Sequence, residues 1–182
     1  MATFISMLRG VNVGGHRPVK MAELVDLYRS LGLKEPRSYI QSGNVIFGSA
    51  AKDAAALPRR IEQAIEKKFG IHSDVILRTA DEINDVVTRN PFAGRLDVAP
   101  NKLQVIFLSC EPDAQCAGRV ASLPSEPEEL HLLGRELFIH FPNGFGKSKL
   151  TQSALDRAVG VPGTARNWNT VQKLLELAKR TG

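Results

Sequence analysis

The sequence predicts an α+β protein made of two ferredoxin-like (split β-α-β) units, the second degenerate and followed by a C-terminal helix. Three observations carry this. Short apolar runs of strand length alternate with segments whose apolar residues recur every three or four positions. The order strand, helix, strand, strand, helix, strand is met once in full. A second series, starting at Leu103, opens the same way.

Residues 3–8 form a short, mainly apolar run and read as a buried strand that breaks at Arg9-Gly10. Met21, Leu24, Val25, Tyr28 and Leu31 then recur at helical spacing, with Gly32 placed to end the helix. Segments 38–41 and 45–47 flank Ser42-Gly43-Asn44, which predicts a hairpin, with one bulged strand as the alternative. Leu57, Ile61, Ala64, Ile65 and Phe69 mark a second helix, opened by Pro58 and closed by Gly70. Residues 74–78 are the next strand. Thr79-Ala80-Asp81-Glu82 fits a capping box, in which threonine and glutamate satisfy each other's main-chain N–H at a helix start. Asn90-Pro91 stops that helix, and residues 92–101 read as a linker, dividing the chain into 1–91 and 101–182.

In the second half, residues 103–108 are a strand and Pro112 introduces a helix with Ala117, Val120 and Ala121 inward. Segments 129–133 and 136–141 make a hairpin about Gly134-Arg135, and Leu150, Ala154, Leu155 and Ala158 form a helix ending at Gly160. The pattern then predicts a turn at 161–163 in place of a fourth strand. Thr164-Ala165-Arg166-Asn167 leads into a last helix carrying Trp168, Val171, Leu175 and Ala178.

Composition bounds the function. With 182 residues, 43% hydrophobic and 24% charged, the chain has the makeup of a globular protein and not a disordered one. No apolar run approaches the roughly 20 residues that span a bilayer. Residues 1–13 have neither the basic start nor the small-residue cleavage site of an export signal, so a cytoplasmic location with no membrane partner is expected. Residues 143–182 hold seven basic side chains (Lys147, Lys149, Arg157, Arg166, Lys173, Lys179, Arg180) against Asp156 and Glu176. That difference of five equals the whole net charge of +5 and is compatible with an anionic partner.

Several chemistries are excluded. Cys110 and Cys116 lack metal or redox spacing and read as free thiols. His16, His72, His131 and His140 are scattered without metal-ligand spacing, and across a two-residue turn His131 faces Phe138 and not His140. A dinucleotide loop is ruled out because Asn12 interrupts the glycine spacing, and Gly146-Lys147-Ser148 ends like a Walker A loop whose first glycine is replaced by Phe141. No G-x-S-x-G elbow is present. The sequence calls for no cofactor and no metal, and no catalytic residue is assignable.

What remains is a set of polar residues at strand and helix ends, taken as candidate ligand contacts: Arg9, Asn12, Gly14, Gly15, Tyr39, Ser42, Asn44, Lys147, Arg166, Asn167 and Asn169. Gly-rich turns bring main-chain N–H donors close to an anion. Arginine at a helix N-terminus is electrostatically disfavoured unless an anion offsets it, which singles out Arg166. Tyr39 offers a proton donor or a stacking surface. These residues predict a site for an anionic, phosphate-bearing small molecule or nucleotide where the first loop meets the last helix. Two alternatives stand beside it: sequence-independent nucleic-acid binding by the basic region, for which strand aromatics are poor, and a structural role in which the same side chains brace the fold.

Four stretches carry a resemblance: Arg9-Gly10-Val11-Asn12-Val13-Gly14-Gly15, Lys20-Met21-Ala22-Glu23-Leu24, Tyr39-Ile40-Gln41-Ser42-Gly43-Asn44-Val45, and Ala165-Arg166-Asn167-Trp168-Asn169-Thr170-Val171-Gln172-Lys173-Leu174. On these the chain resembles the bacterial domain of unknown function 1697 family over almost its whole length. The resemblance implies a cytoplasmic bacterial α+β protein and supplies no catalytic residues.

Overall fold

The computed structural model describes residues 1–15, 18–50 and 54–180. His16 falls outside the described residues. The chain divides into two compact units, Met1–Asn84 with Lys173–Gly182, and Asp85–Gln172. The architecture is mixed α+β with two four-stranded antiparallel sheets.

The first unit runs β1 (Ala2–Leu8), α1 (Met21–Ser30), β2 (Lys34–Tyr39), β3 (Asn44–Ser49), α2 (Leu57–Phe69) and β4 (Val75–Thr79), with sheet order β2-β3-β1-β4. Strand β1 lies in the centre because it is apolar on both faces, and alternate residues Phe4 and Leu8 join Val45, Phe47 and Val75 against Leu24, Tyr28, Ile61 and Ile65 of the helices. Ile5, Met7, Ile46 and Ile76, which point to the opposite face, are also buried. Gly70 takes a left-handed conformation (φ 67°) and ends α2, as the sequence predicts. A polar pair in this core is closed: Ser6 donates to the Val45 carbonyl at 3.2 Å, leaving its oxygen to accept from the Tyr28 hydroxyl at 2.8 Å. Burial pushes the Tyr28 phenol above its ordinary value.

Helix α3 (Ala80–Thr88) follows β4 directly, through the predicted capping box. The Thr79 N–H donates to Glu82 Oε2 at 2.7 Å and the Glu82 N–H to Thr79 Oγ1 at 3.1 Å.

The second unit repeats the order: β5 (Leu103–Leu108), α4 (Cys116–Ala121), β6 (Glu129–Leu133), β7 (Glu136–His140), α5 (Gln152–Val159) and β8 (Gly163–Asn167), in sheet order β6-β7-β5-β8; a last helix, α6 (Trp168–Lys179), starts in this unit and from Lys173 onward belongs to the first. Its core joins Ile106, Leu108, Leu137 and Ile139 to Val120 and Leu155. As the turn geometry requires, His131 pairs with Phe138.

The expected degeneracy of this half is corrected by β8. Residues 163–167 form a strand paired with β5, so the fourth strand is present. Its sequence, Gly-Thr-Ala-Arg-Asn, has no apolar alternation because the buried positions hold Gly163, Thr164 and Arg166. A Cβ on Gly163 would lie 2.9 Å from Ile106 Cγ2 and 3.0 Å from Leu108 Cδ2, so only glycine lets the strand approach β5.

The inner pairings of the two sheets match. Met7 pairs with Asn44 and Phe107 with Glu136, while Ile5 pairs with Arg78 and Val105 with Arg166. Each unit therefore buries a polar residue at the start of its third strand and an arginine at the fourth position of its fourth strand.

Candidate functional site

In the first unit, the loop after β1 and the turn between β2 and β3 are locked together. Asn12 does most of this. Its Nδ2 donates to the carbonyls of Val19 (2.9 Å) and Gln41 (2.8 Å), and its Oδ1 accepts from the Val19 N–H at 2.7 Å. The amide thus closes its own loop and ties it to the neighbouring turn. Gly43 completes the lock: its carbonyl accepts from the Leu8 N–H at 3.0 Å, and a Cβ there would sit 2.6 Å from Val11 Cγ2. Asn44, fully buried, donates to Tyr39 O (3.2 Å) and Ser42 Oγ (2.8 Å), which fixes the turn from within.

These bonds hold a strained edge. Asn12 (φ 54°) and Ile40 (φ 51°) are left-handed, and for a β-branched residue such as Ile40 that conformation is an outlier costing on the order of 1 kcal/mol or more. Gly14 (φ 58°) and Gly15 (φ 77°) are exposed beyond the lock, with Val13 and Ile40 also exposed. Arg9 is half-buried and lies 3.6 Å from Asp74 Oδ2, whose other oxygen is 3.7 Å from His72 Nε2.

The second-unit candidates are arranged differently. Arg166 is not at a helix N-terminus, as the sequence predicts, but inside β8, because the strand that carries it is invisible to hydrophobic pattern. It is buried and donates from Nη1 to Thr164 Oγ1 (2.7 Å) and the Ala165 carbonyl (2.8 Å). Burial pulls its guanidinium down to about 10, which leaves it charged at neutral pH. Asn167 donates to the Asn101 carbonyl (3.1 Å) and accepts from the Asn169 N–H (3.0 Å), capping α6. Asn169 is exposed, and Lys147 is exposed in the 3-10 turn Phe145–Lys147. Elsewhere in the basic region, Lys173 and Arg180 both pair with Glu176 (2.8 and 2.6 Å).

Sequence reasoning passed over a second cluster in this unit. Arg95, in the stretch read as a linker, forks onto Glu129 (2.7 and 2.9 Å) and reaches both oxygens of Asp97 (3.2 and 2.5 Å). Its guanidinium lies 5.5 Å from the Phe92 ring centre. The Phe92 ring meets His131 edge-on at 5.1 Å and His140 at 5.8 Å. His140 is buried, its ring nitrogens have no hydrogen-bond partner among the described residues, and Nδ1 is 3.6 Å from Glu129 Oε1, too far for a hydrogen bond. A histidine ending the apolar run Leu137-Phe138-Ile139 and an arginine ending Val75-Ile76-Leu77 were the available sequence signals for His140 and Arg78. Among the described residues no three His, Cys, Asp or Glu side chains form a metal-binding group, and no helix is long and apolar enough to cross a membrane.

The Arg95 fork gives a pH prediction. Hydrogen bonds from Arg95 hold the Glu129 and Asp97 carboxyls below their ordinary values. Groups with depressed folded values stabilise the fold above the unfolded carboxylate range, about 4, and lose that contribution as pH falls through the folded values. Arg95→Gln should therefore show a shallower fall of Tm than the parent protein between about pH 5 and pH 3. Parallel melting curves across that range would show that the fork contributes nothing to folding.

A comparison with curated proteins gave no match. Among solved structures, the conserved bacterial protein SP0830 from Streptococcus pneumoniae is similar, with 24% identity, a TM-score of 0.74, and coverage of 97% of this chain and 98% of its own. At that identity the likeness speaks for the fold. A family model described as a protein of unknown function (DUF1697) matches residues 1–138. The chain belongs to the DUF1697 family.

Proposed function

We propose that the first unit binds an anionic, phosphate-bearing small ligand at its locked double turn, with the main chain of Gly14 and Gly15 and the Arg9 side chain as contacts. The observation that supports this is the lock itself. Asn12, Ser42, Gly43 and Asn44 hold two turns from distant parts of the sequence in left-handed conformations, and the product is an exposed glycine pair in the same loop as an arginine. Strain kept at a solvent-facing edge is characteristic of a functional surface. Exposed N–H groups at such a turn favour anions. In this reading Asn12, Ser42 and Asn44 are positioning residues and Tyr39, half-buried at the end of β2, borders the site. The same reading takes each unit as a ferredoxin-like fold, supported by the shared element order and by the strand orders β2-β3-β1-β4 and β6-β7-β5-β8.

The test is a thermal-shift and calorimetric titration of the full chain with inorganic phosphate, ribose 5-phosphate and ATP. A phosphate-bearing compound is expected to raise Tm in proportion to its occupancy, and Arg9→Gln to abolish the shift. No shift at concentrations of ~100 times a micromolar Kd, where about 2.7 kcal/mol of linkage is due, would overturn the proposal. So would a shift that Arg9→Gln leaves intact.

A further inference from the structure

Strands β2 and β6 hold equivalent places in their sheets, each at an edge with one bonded neighbour, yet their edges are built differently. β2 carries the devices that keep an edge from pairing with another chain: Pro36, the charges of Lys34, Glu35 and Arg37, a left-handed Glu35 (φ 45°), and a register shift between Lys34 and Arg37. β6, with the sequence Glu-Leu-His-Leu-Leu, has neither proline nor lysine and pairs with β7 in unbroken register.

The alternation of hydrogen bonds defines the open side of β6. The Leu108 N–H donates to the Arg135 carbonyl and the Phe141 N–H to the Lys102 carbonyl, so Leu137 and Ile139 bond to β5, and Glu136, Phe138 and His140 bond to β6. Glu129, His131 and Leu133 therefore turn their main-chain groups to β7, while Leu130 and Leu132 turn theirs outward. The N–H and C=O groups of these two leucines have no partner among the described residues.

Beside that edge runs a groove of about 260 Å³. Ala117, Val120 and Ala121 of α4 form one wall, the half-buried Leu130 and Leu132 side chains form the other, and Ser125 also lines it. Both alanines are exposed, so the groove opens to solvent along the strand. An extended chain laid against β6 would satisfy the outward main-chain groups and, because its side chains alternate, send every second one toward the groove. Charge narrows the partner further. No Lys, Arg, Asp or Glu lines the groove, and Glu126, next to Ser125, is exposed without an ionic partner among the described residues. A cation beside the apolar side chains is thus favoured and an anion is not.

We propose that β6 and the groove beside α4 bind an extended peptide as an added strand, with apolar side chains at alternate positions and a lysine or arginine next to them. The proposal is independent of the anion reading, since every residue it uses belongs to the second unit.

The test selects a random peptide display library on the full chain, then titrates the strongest binder by calorimetry. Convergence on alternating apolar residues beside Lys or Arg is expected. N-methylation scanned along that peptide should weaken binding at every second position, the period of a strand pairing on one side. Ala121→Arg puts a long cation into the groove from an exposed helix position that arginine suits, and should weaken the peptide by about tenfold or more. Leu132→Pro deletes an outward N–H, which an edge strand tolerates, and should do the same. A library that fails to converge overturns the proposal, as does a methyl scan without alternation or an affinity that Ala121→Arg leaves unchanged. A monomer–dimer equilibrium that Leu132→Pro abolishes overturns it too, by assigning the edge to a second copy of the chain.

Discussion

Gly43→Ala is expected to lose about 3 kcal/mol of folding stability, the sum of left-handed strain on a residue with a Cβ and overpacking of a close contact. The new methyl would lie 2.6 Å from Val11 Cγ2 and 2.8 Å from Leu8 Cβ, and both neighbours belong to the buried core of the first unit, so neither can swing away. Gly15→Ala is the internal control. Gly15 has nearly the same φ, +77° against +73°, but nothing within 4 Å of the added carbon. It should lose only the strain, about 1 kcal/mol. Urea denaturation of both variants separates the two contributions, and equal losses would mean that the turn and the loop are not in contact.

Asn12 carries the second large effect. Asn12→Ala removes two donated hydrogen bonds and one accepted bond, strands the Val19 N–H in a partly buried position, and puts alanine where φ is 54°. A loss of about 2–4 kcal/mol follows. Asn12→Gly keeps the backbone relaxed and loses only the bonds, so it should recover roughly 1 kcal/mol of that. If alanine and glycine are equally costly, the left-handed backbone is not the constraint it is taken to be. Asn12→Gly also bears on the proposed anion site. It frees the loop without touching Arg9, so phosphate affinity should fall although every proposed ligand contact is still present.

Much of the fold was legible because its signals are local. Thr79 and Glu82 are three residues apart and cap the helix they announce; Gly70 and Gly160 close helices where a left-handed residue is needed. Strand β8 was not legible, since its identity depends on what Gly163, Thr164 and Arg166 meet in β5 and not on their own hydrophobicity. The same limit applies to the sites. Asn12 stood out in the sequence, but its bond to Gln41 spans 29 positions, and pattern alone does not separate a ligand contact from a clamp. Arg95 was unremarked because its partner Glu129 lies 34 positions away on a hairpin.

The division of the chain also sets an order of assembly. The first unit gathers residues 1–84 and, after the entire second unit has intervened, Lys173–Gly182. On a ribosome the N-terminal sheet can form its hydrogen bonds before residues 173–182, which group with it, have been made. Until then the second unit, continuous in sequence, is the one that can complete itself without waiting. Damage to the Lys173–Lys179 part of α6 should be felt by the first unit before the second.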